Sequence, residues 1–154
     1  MTKNLKYFMR DDAKDEPVIT IPGIEGFNDE NGKVIPLEVK RLSKKNIQAI
    51  MDGYKTKEVA LDPKGNPYIF NGLIAHEEKY NESKAIRHVI AEALRYPNLK
   101  DPEMMKFFGC YDITEMPPTV FSKGTEYEQL LTKVYSVLNG TEEAFDAEIE
   151  AAKN

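Results

Sequence analysis

The stretch NESKAIRHVIAEALRYPNLKDPEMMKFFG, residues 81–109, decides how the rest of the chain is read. Ala85, Ile86, Val89, Ile90, Ala93 and Leu94 recur at the spacing that lays one apolar stripe along a 3.6-residue helix. Lys84, Arg87, His88, Glu92 and Arg95 fall between them as a solvated face, with Asn81 or Ser83 as the N-cap. Pro97 pushes the residue before it out of the α region, so the spacing predicts a helix over 83–96. Asp101 followed by Pro102 starts a second helix, with Met104, Met105, Phe107 and Phe108 on its apolar side and Gly109 as its stop. A Pro-Asn-Leu-Lys elbow at 97–100 joins the two.

Toward the C-terminus, residues 111–118 read as irregular, because Pro117 and Pro118 forbid a continuous helix. A long helix follows. Thr125 and Glu128 have capping-box spacing, Tyr127, Leu130, Leu131, Val134, Val137 and Leu138 form its apolar face, and Asn139-Gly140 ends it. Residues 141–154 read as a short acidic helix carrying Phe145 and Ile149 four residues apart. Those two side chains lie past the Gly-capped helix and are candidate partner-binding residues.

Toward the N-terminus, Ser43 caps a helix through Met51, closed by Gly53, with Ile47, Ile50 and Met51 on one face. Before it, residues 18–21 read as a strand. Asn31-Gly32 sits at the centre of a turn, and residues 34–41 alternate as a second strand. Pro36 cannot donate to a ladder, which implies an edge position or a bulge in this strand. Residues 57–61 read as extended, 62–67 as a dense turn cluster and 68–70 as a returning strand. This second hairpin has polar flanks and few core-facing residues, so it projects from the body. Leu73, Ile74 and Ala75 then lead into the central helix. Residues 1–17 form an arm in which Leu5, Tyr7, Phe8 and Met9 need a partner surface to be buried; Tyr7 and Phe8 are further candidate partner-binding residues. The fold class that follows is α+β: a mainly helical single domain over 18–140, with small antiparallel hairpins in its N-terminal half, an arm at 1–17 and an acidic tail at 141–154.

At 154 residues the chain suits one core, and no apolar run approaches a membrane span. The first residues carry scattered charge without the apolar stretch of a signal peptide. A single cysteine, Cys110, excludes an intrachain disulfide, fits a reducing cytoplasm and reads as a small core hydrophobe beside Phe107 and Phe108. A net charge of −5 argues against a general nucleic-acid binder, although Lys40, Arg41, Lys44 and Lys45 make one local basic patch. His76, His88 and Cys110 lack metal-ligand spacing, Gly23-Ile24-Glu25-Gly26 lacks the lysine and hydroxyl of a phosphate loop, and Ser122 lacks a nucleophile elbow. Asp62-Pro63-Lys64-Gly65-Asn66 puts a lysine where a calcium loop needs an oxygen ligand. The residues therefore indicate a binding protein, with no catalytic residue, metal or cofactor expected. A nucleic-acid-binding regulator using the 40–45 patch is the alternative.

Leu37-Glu38-Val39-Lys40-Arg41-Leu42-Ser43 ahead of a helix, a polar hairpin, Ile90-Ala91-Glu92-Ala93, Tyr96-Pro97-Asn98-Leu99-Lys100-Asp101, Gly109 and a closing helix up to Leu138-Asn139-Gly140 follow one another in this chain. The arrangement, over residues 34–140, resembles the XkdN-like tail assembly chaperones of long-tailed phages and prophages in Gram-positive bacteria. Pro117-Pro118-Thr119-Val120-Phe121 departs from it, standing where a leucine-rich turn leading to an acidic residue is expected. The resemblance implies a non-enzymatic role in the host cytoplasm and absence from the finished virion. It implies a tape-measure protein as partner, coated until tail-tube subunits polymerise around it. A frameshifted longer form of such proteins recruits the tube protein. Self-association is compatible with this picture; membrane and nucleic acid have no part in it.

Overall fold

Alternation along Leu37–Lys40 sets the sheet: Leu37 and Val39 are buried and Glu38 and Lys40 half-buried, as a strand with one covered face requires. In the computed structural model, which describes residues 3–143, strand β1 (Val18–Ile21) pairs antiparallel with β2 (Leu37–Lys40), placing Ile19 opposite Val39 and Ile21 opposite Leu37. The connection carries the expected Asn31-Gly32 turn. Asp29 Oδ1 accepts from the Asn31 and Lys33 amides at 2.8 and 3.0 Å.

Helix α1 (Lys44–Asp52) follows, its first turn closed by Ser43 Oγ accepting from the Asn46 amide at 3.1 Å. Next come strands β3 (Lys55–Val59), β4 (Ile69–Phe70), β5 (Leu73–Ile74) and β6 (His76–Tyr80), which form two-stranded ribbons outside the main sheet. Helix α2 (Glu82–Ala93) is capped by Asn81 and buries Ala85, Val89, Ile90, Ala91 and Ala93. Ile86 is half-buried against the same core.

The central helix stops at Ala93, and Leu94–Tyr96 becomes strand β7, pairing with β2 through Val39–Leu94 and Glu38–Tyr96. Leu94 satisfies the helical stripe and the sheet equally well, since both demand only that it be buried; pairing with β2 decides. This puts β2 in the middle of the order β1-β2-β7, so of the two readings of Pro36 the edge is excluded: it precedes a central strand whose pairing with β7 shifts register between Glu38 and Val39. Residues 73–80 form β5 and β6 and do not lead directly into the helix. Helices account for 38% and strands for 21% of the described residues, an α+β balance in which "mainly helical" overstates the helices.

Helix α3 (Pro102–Phe108) starts and stops as its sequence requires. Asp101 Oδ1 accepts from the Met104 amide at 3.0 Å, and Gly109 takes φ 69°. Phe107, expected on its apolar side, is 81% exposed, whereas Phe108, Met104 and Met105 pack on the core. Pro117 and Pro118 do not break structure; they occupy the first turn of helix α4 (Met116–Val120), where a missing N–H is no loss. Helix α5 (Glu126–Asn139) buries Leu130, Val134, Val137 and Leu138 and ends at Gly140 with φ 74°. Its capping box does not form. Thr125 Oγ1 instead accepts from Gln129 Nε2 at 2.9 Å, and Glu126 Oε1 accepts from the Lys123 amide at 3.0 Å.

The core lies where α2 and α5 cover one face of the sheet, with Ile24, Leu99, Met116, Val120 and Phe121 closing its margins. Cys110 is buried there as a free thiol.

Candidate functional site: an exposed apolar hairpin tip

Residues 55–80 make one long hairpin. Its stalk is the β3–β6 ladder, from Lys55 opposite Tyr80 to Val59 opposite His76. The strand residues facing solvent there are Lys57, Glu58, Glu77, Glu78 and Lys79, so the free edges carry charge that discourages further strand pairing. Lys79 Nζ and Glu77 pair at 3.0 Å.

The root is fixed to the body. The Asn81 amide donates to Tyr54 O at 3.1 Å, and Lys55 pairs with Asp52 at 3.1 Å while sitting 5.3 Å from the Tyr80 ring centroid. The Tyr54 hydroxyl lies 2.5 Å from His88 Nδ1 on α2. His88 Nε2 faces the Glu92 carboxylate at 3.5 Å, so the ring bridges the phenol and the carboxylate through its two nitrogens. Burial, then the Asp112 charge, raise the Tyr54 pKa, so the phenol keeps its proton. Burial works against ionisation of Glu92, but its hydrogen bond and charge pairing with Lys100 at 2.9 Å outweigh that and hold the carboxyl below its ordinary value. His88, read from sequence as a solvated side chain, is thus a half-buried strut between stalk and helix.

Above the stalk the chain branches. Asp62 Oδ1 accepts from the Lys64 and Asn66 amides, both at 2.9 Å, shaping the first turn. Ala60, Tyr68 and Ala75 then share a three-way junction: Tyr68 N donates to Ala60 O at 2.7 Å, Ala75 N to Tyr68 O at 2.8 Å and Ala60 N to Ala75 O at 2.9 Å. From this junction rises a small ribbon, β4–β5, pairing Ile69 with Ile74 and Phe70 with Leu73. Asn71 and Gly72 connect it at φ 52° and 77°, the two positive values that a two-residue type I′ turn demands.

The ribbon's side chains have no cover. Ile69 is 64% exposed, Phe70 62%, Leu73 74% and Ile74 53%, with Leu61 at 62% nearby in the chain. Between Gly65 and Ala75 there is no charged residue, in a chain that is 31% charged. Contiguous apolar surface of this kind marks an interaction site. The hairpin expected from sequence, with 57–61 returned by 68–70, needs correction: β3 pairs with β6, residues 69–70 pair with 73–74, and the apolar tip this makes is not foreseen. The signal was present as Asn71-Gly72 flanked by Ile69-Phe70 and Leu73-Ile74.

The residues singled out from sequence fall elsewhere. Tyr7 and Phe8 lie in a 3-10 turn, Leu5–Phe8, started by Asn4 Oδ1 accepting from the Lys6 amide at 2.9 Å. Tyr7 is 73% and Phe8 82% exposed, so the arm does not bury them on its own chain. Phe145 and Ile149 lie outside the described residues.

The basic patch is largely spent within the molecule. Lys40 pairs with Glu16 at 3.6 Å, Arg41 Nε donates to Val137 O at 2.8 Å while the guanidinium pairs with Glu142, and Lys44 Nζ donates to Asn139 Oδ1 at 3.1 Å. The Arg41 and Lys44 contacts tie the strand-to-helix junction to the end of α5, and the Lys40 contact ties it to the arm. Among the described residues no group of His, Cys, Asp and Glu is arranged to hold a metal ion. No described helix is long and apolar enough to cross a membrane.

The chain is 24% identical over 151 residues to the uncharacterized protein YqbN of Bacillus subtilis (strain 168), spanning 98% of this chain and 93% of that protein. Its fold is shared with the crystal structure of the protein YqbN at a TM-score of 0.64 and 19% identity, over 95% of this chain and 100% of the other. A family model described as phage XkdN-like tail assembly chaperone protein matches residues 5–153, and the chain belongs to that family.

Proposed function

We propose that the protein is a non-enzymatic chaperone of tail assembly that binds the tape-measure protein and keeps it soluble until tail-tube subunits polymerise around it. Family membership supplies the setting. The observation that carries the reading is the uncovered apolar tip at 69–74, on a stalk whose own edges are guarded by charge. A long helical client with apolar surface aggregates unless that surface is covered. Many copies, each holding the client through a few exposed side chains, cover it and still yield to the tube protein, because single contacts of this size are weak and only their number makes the coat stable.

The exposed Tyr7 and Phe8, and Phe145 and Ile149 in the acidic tail, are proposed as auxiliary contacts. The tail's negative charge then keeps the coated client soluble. In this reading the protein works in the host cytoplasm, without a cofactor, and is left out of the finished virion. A frameshifted longer form, where made, brings in the tube protein. Lys40, Arg41 and Lys44 are held by partners within the chain, so a regulator using the 40–45 patch on nucleic acid is disfavoured.

Co-expression with the tape-measure protein of the same tail gene cluster tests this. The tape-measure protein is expected to move from the pellet to the soluble fraction and to co-purify. An unchanged pellet refutes the proposal.

A further inference from the structure

The geometry points to a wedge: the β4–β5 tip inserts into an apolar cleft of the client that covers both of its faces, instead of lying flat on one apolar face. The inference rests on the chaperone reading above and adds the mode of docking to it.

Register supplies the first argument. Residues directly opposite each other share a face of a two-stranded ribbon, and the next pair along faces the other way. Ile69 and Ile74 therefore lie on one face and Phe70 and Leu73 on the other. A hairpin that merely packed on its own body, or on a flat partner, would need only one apolar face and would show polar residues on the second. Here both faces are apolar and both are open, at 64% and 53% for the first pair and 62% and 74% for the second.

Charge supplies the second argument. Residues 65–75 carry none, whereas the stalk ladder below carries Lys55, Lys57 and Lys79 against Glu58, Glu77 and Glu78, and so balances to neutrality. An uncharged tip above a neutral stalk neither attracts nor repels a charged surface. The occupant it fits is uncharged and apolar, with polar groups only where the stalk emerges.

Area supplies the third. The exposed parts of Leu61, Tyr68 and the four ribbon side chains amount to on the order of 700 Å², short of the roughly 800 Å² per partner of a standard interface, so each contact stays modest, and only a cleft covers both faces at once. Strand addition is the wrong mode for this tip, since β4 and β5 are two residues each and offer almost no edge.

The test compares two paired variants in the full chain, Ile69→Ser with Ile74→Ser and Phe70→Ser with Leu73→Ser. Soluble yield of co-expressed tape-measure protein and affinity for its purified fragments are measured together with each variant's own thermal unfolding. A wedge predicts that both pairs weaken binding comparably, roughly tenfold or more each, with the unfolding midpoint held near that of the parent. Loss through one pair alone overturns the wedge and means one-sided docking. Equal, undiminished binding by both variants overturns the tip as the site while leaving the chaperone reading intact. If the parent chain itself fails to solubilise the client, the chaperone reading fails first and this inference falls with it. A photo-reactive benzoylphenylalanine at position 70 fixes the occupant: it should cross-link to the client, and cross-linking only to a second copy of the chain overturns the assignment.

Discussion

Glu16 shows how much organisation one side chain can hold. Its carboxylate accepts from the Ser43 amide at 2.7 Å and from Asn46 Nδ2 at 2.8 Å, and it faces Lys40 at 3.6 Å, so it joins the end of the arm to the first turn of α1. The Ser43 N–H, then Asn46, hold its pKa below the ordinary carboxylate value. A carboxyl depressed in the folded state contributes stability that is complete above the ordinary range and is lost as pH falls through the folded value. Glu16→Ala is therefore expected to cost about 1 kcal/mol in urea unfolding at neutral pH, and the gap to the parent should close in acid, below about pH 4. A gap that persists there refutes the account. Gly23 is a second such residue. A Cβ added to it would run into the Ile35 carbonyl, a backbone atom that cannot swing away. Gly23→Ala should lower stability by about 2 kcal/mol, read by the same unfolding curves. In the core, Leu130 has no exposed surface, and Leu130→Ala should cost about 2–5 kcal/mol; Phe70→Ala at the tip should stay within about 0.5 kcal/mol of the parent.

Elements differ in how plainly they are written in the sequence, and the reason is physical. Helices α1 and α3 are announced by local chemistry, Ser43 and Asp101 as caps and Gly109 as a left-handed stop, and they form as that chemistry demands. Strand β2 is legible because half of it is buried, which forces alternation. Strand β6, His-Glu-Glu-Lys-Tyr, buries nothing, so it has no apolar period to detect; only its pairing with β3 makes it a strand. Leu94–Tyr96 was ambiguous for the opposite cause, since the buried end of a helical stripe and a core strand ask for the same residue, and the partner strand alone chooses. The candidate site is half legible: polar flanks mark a hairpin here, but long-range pairing alone joins 55–59 to 76–80 in place of 68–70, and Asn71-Gly72 is the one local mark of the tip. The hairpin also gives a prediction at its own scale. Val59 faces His76 across the ladder, so replacing residues 60–75 by Asn-Gly closes the stalk with a type I′ turn. The shortened protein should keep an unfolding midpoint within a few degrees of the parent, about 4 °C at most, and lose client binding. A large drop in the midpoint would place the tip in the fold's stability instead of its function.

Across the whole molecule, buried and uncovered surface are kept apart. The core is assembled by α2, α5 and the three-stranded sheet, while most exposed large apolar residues lie on the 55–80 hairpin and on the N-terminal arm at residues 5–9, with Phe107 and Tyr111 exposed at the end of α3. That division suits a protein whose working surface must stay available while its fold stays closed. The central claim is that this surface holds an apolar helical client, and titration of purified tape-measure fragments with the full-length protein, followed by fluorescence anisotropy, tests it most directly. Saturable binding at roughly micromolar strength, with several copies on each long fragment, is the predicted result. A flat titration up to about 100 µM, well beyond what so exposed an apolar tip should require, would contradict it.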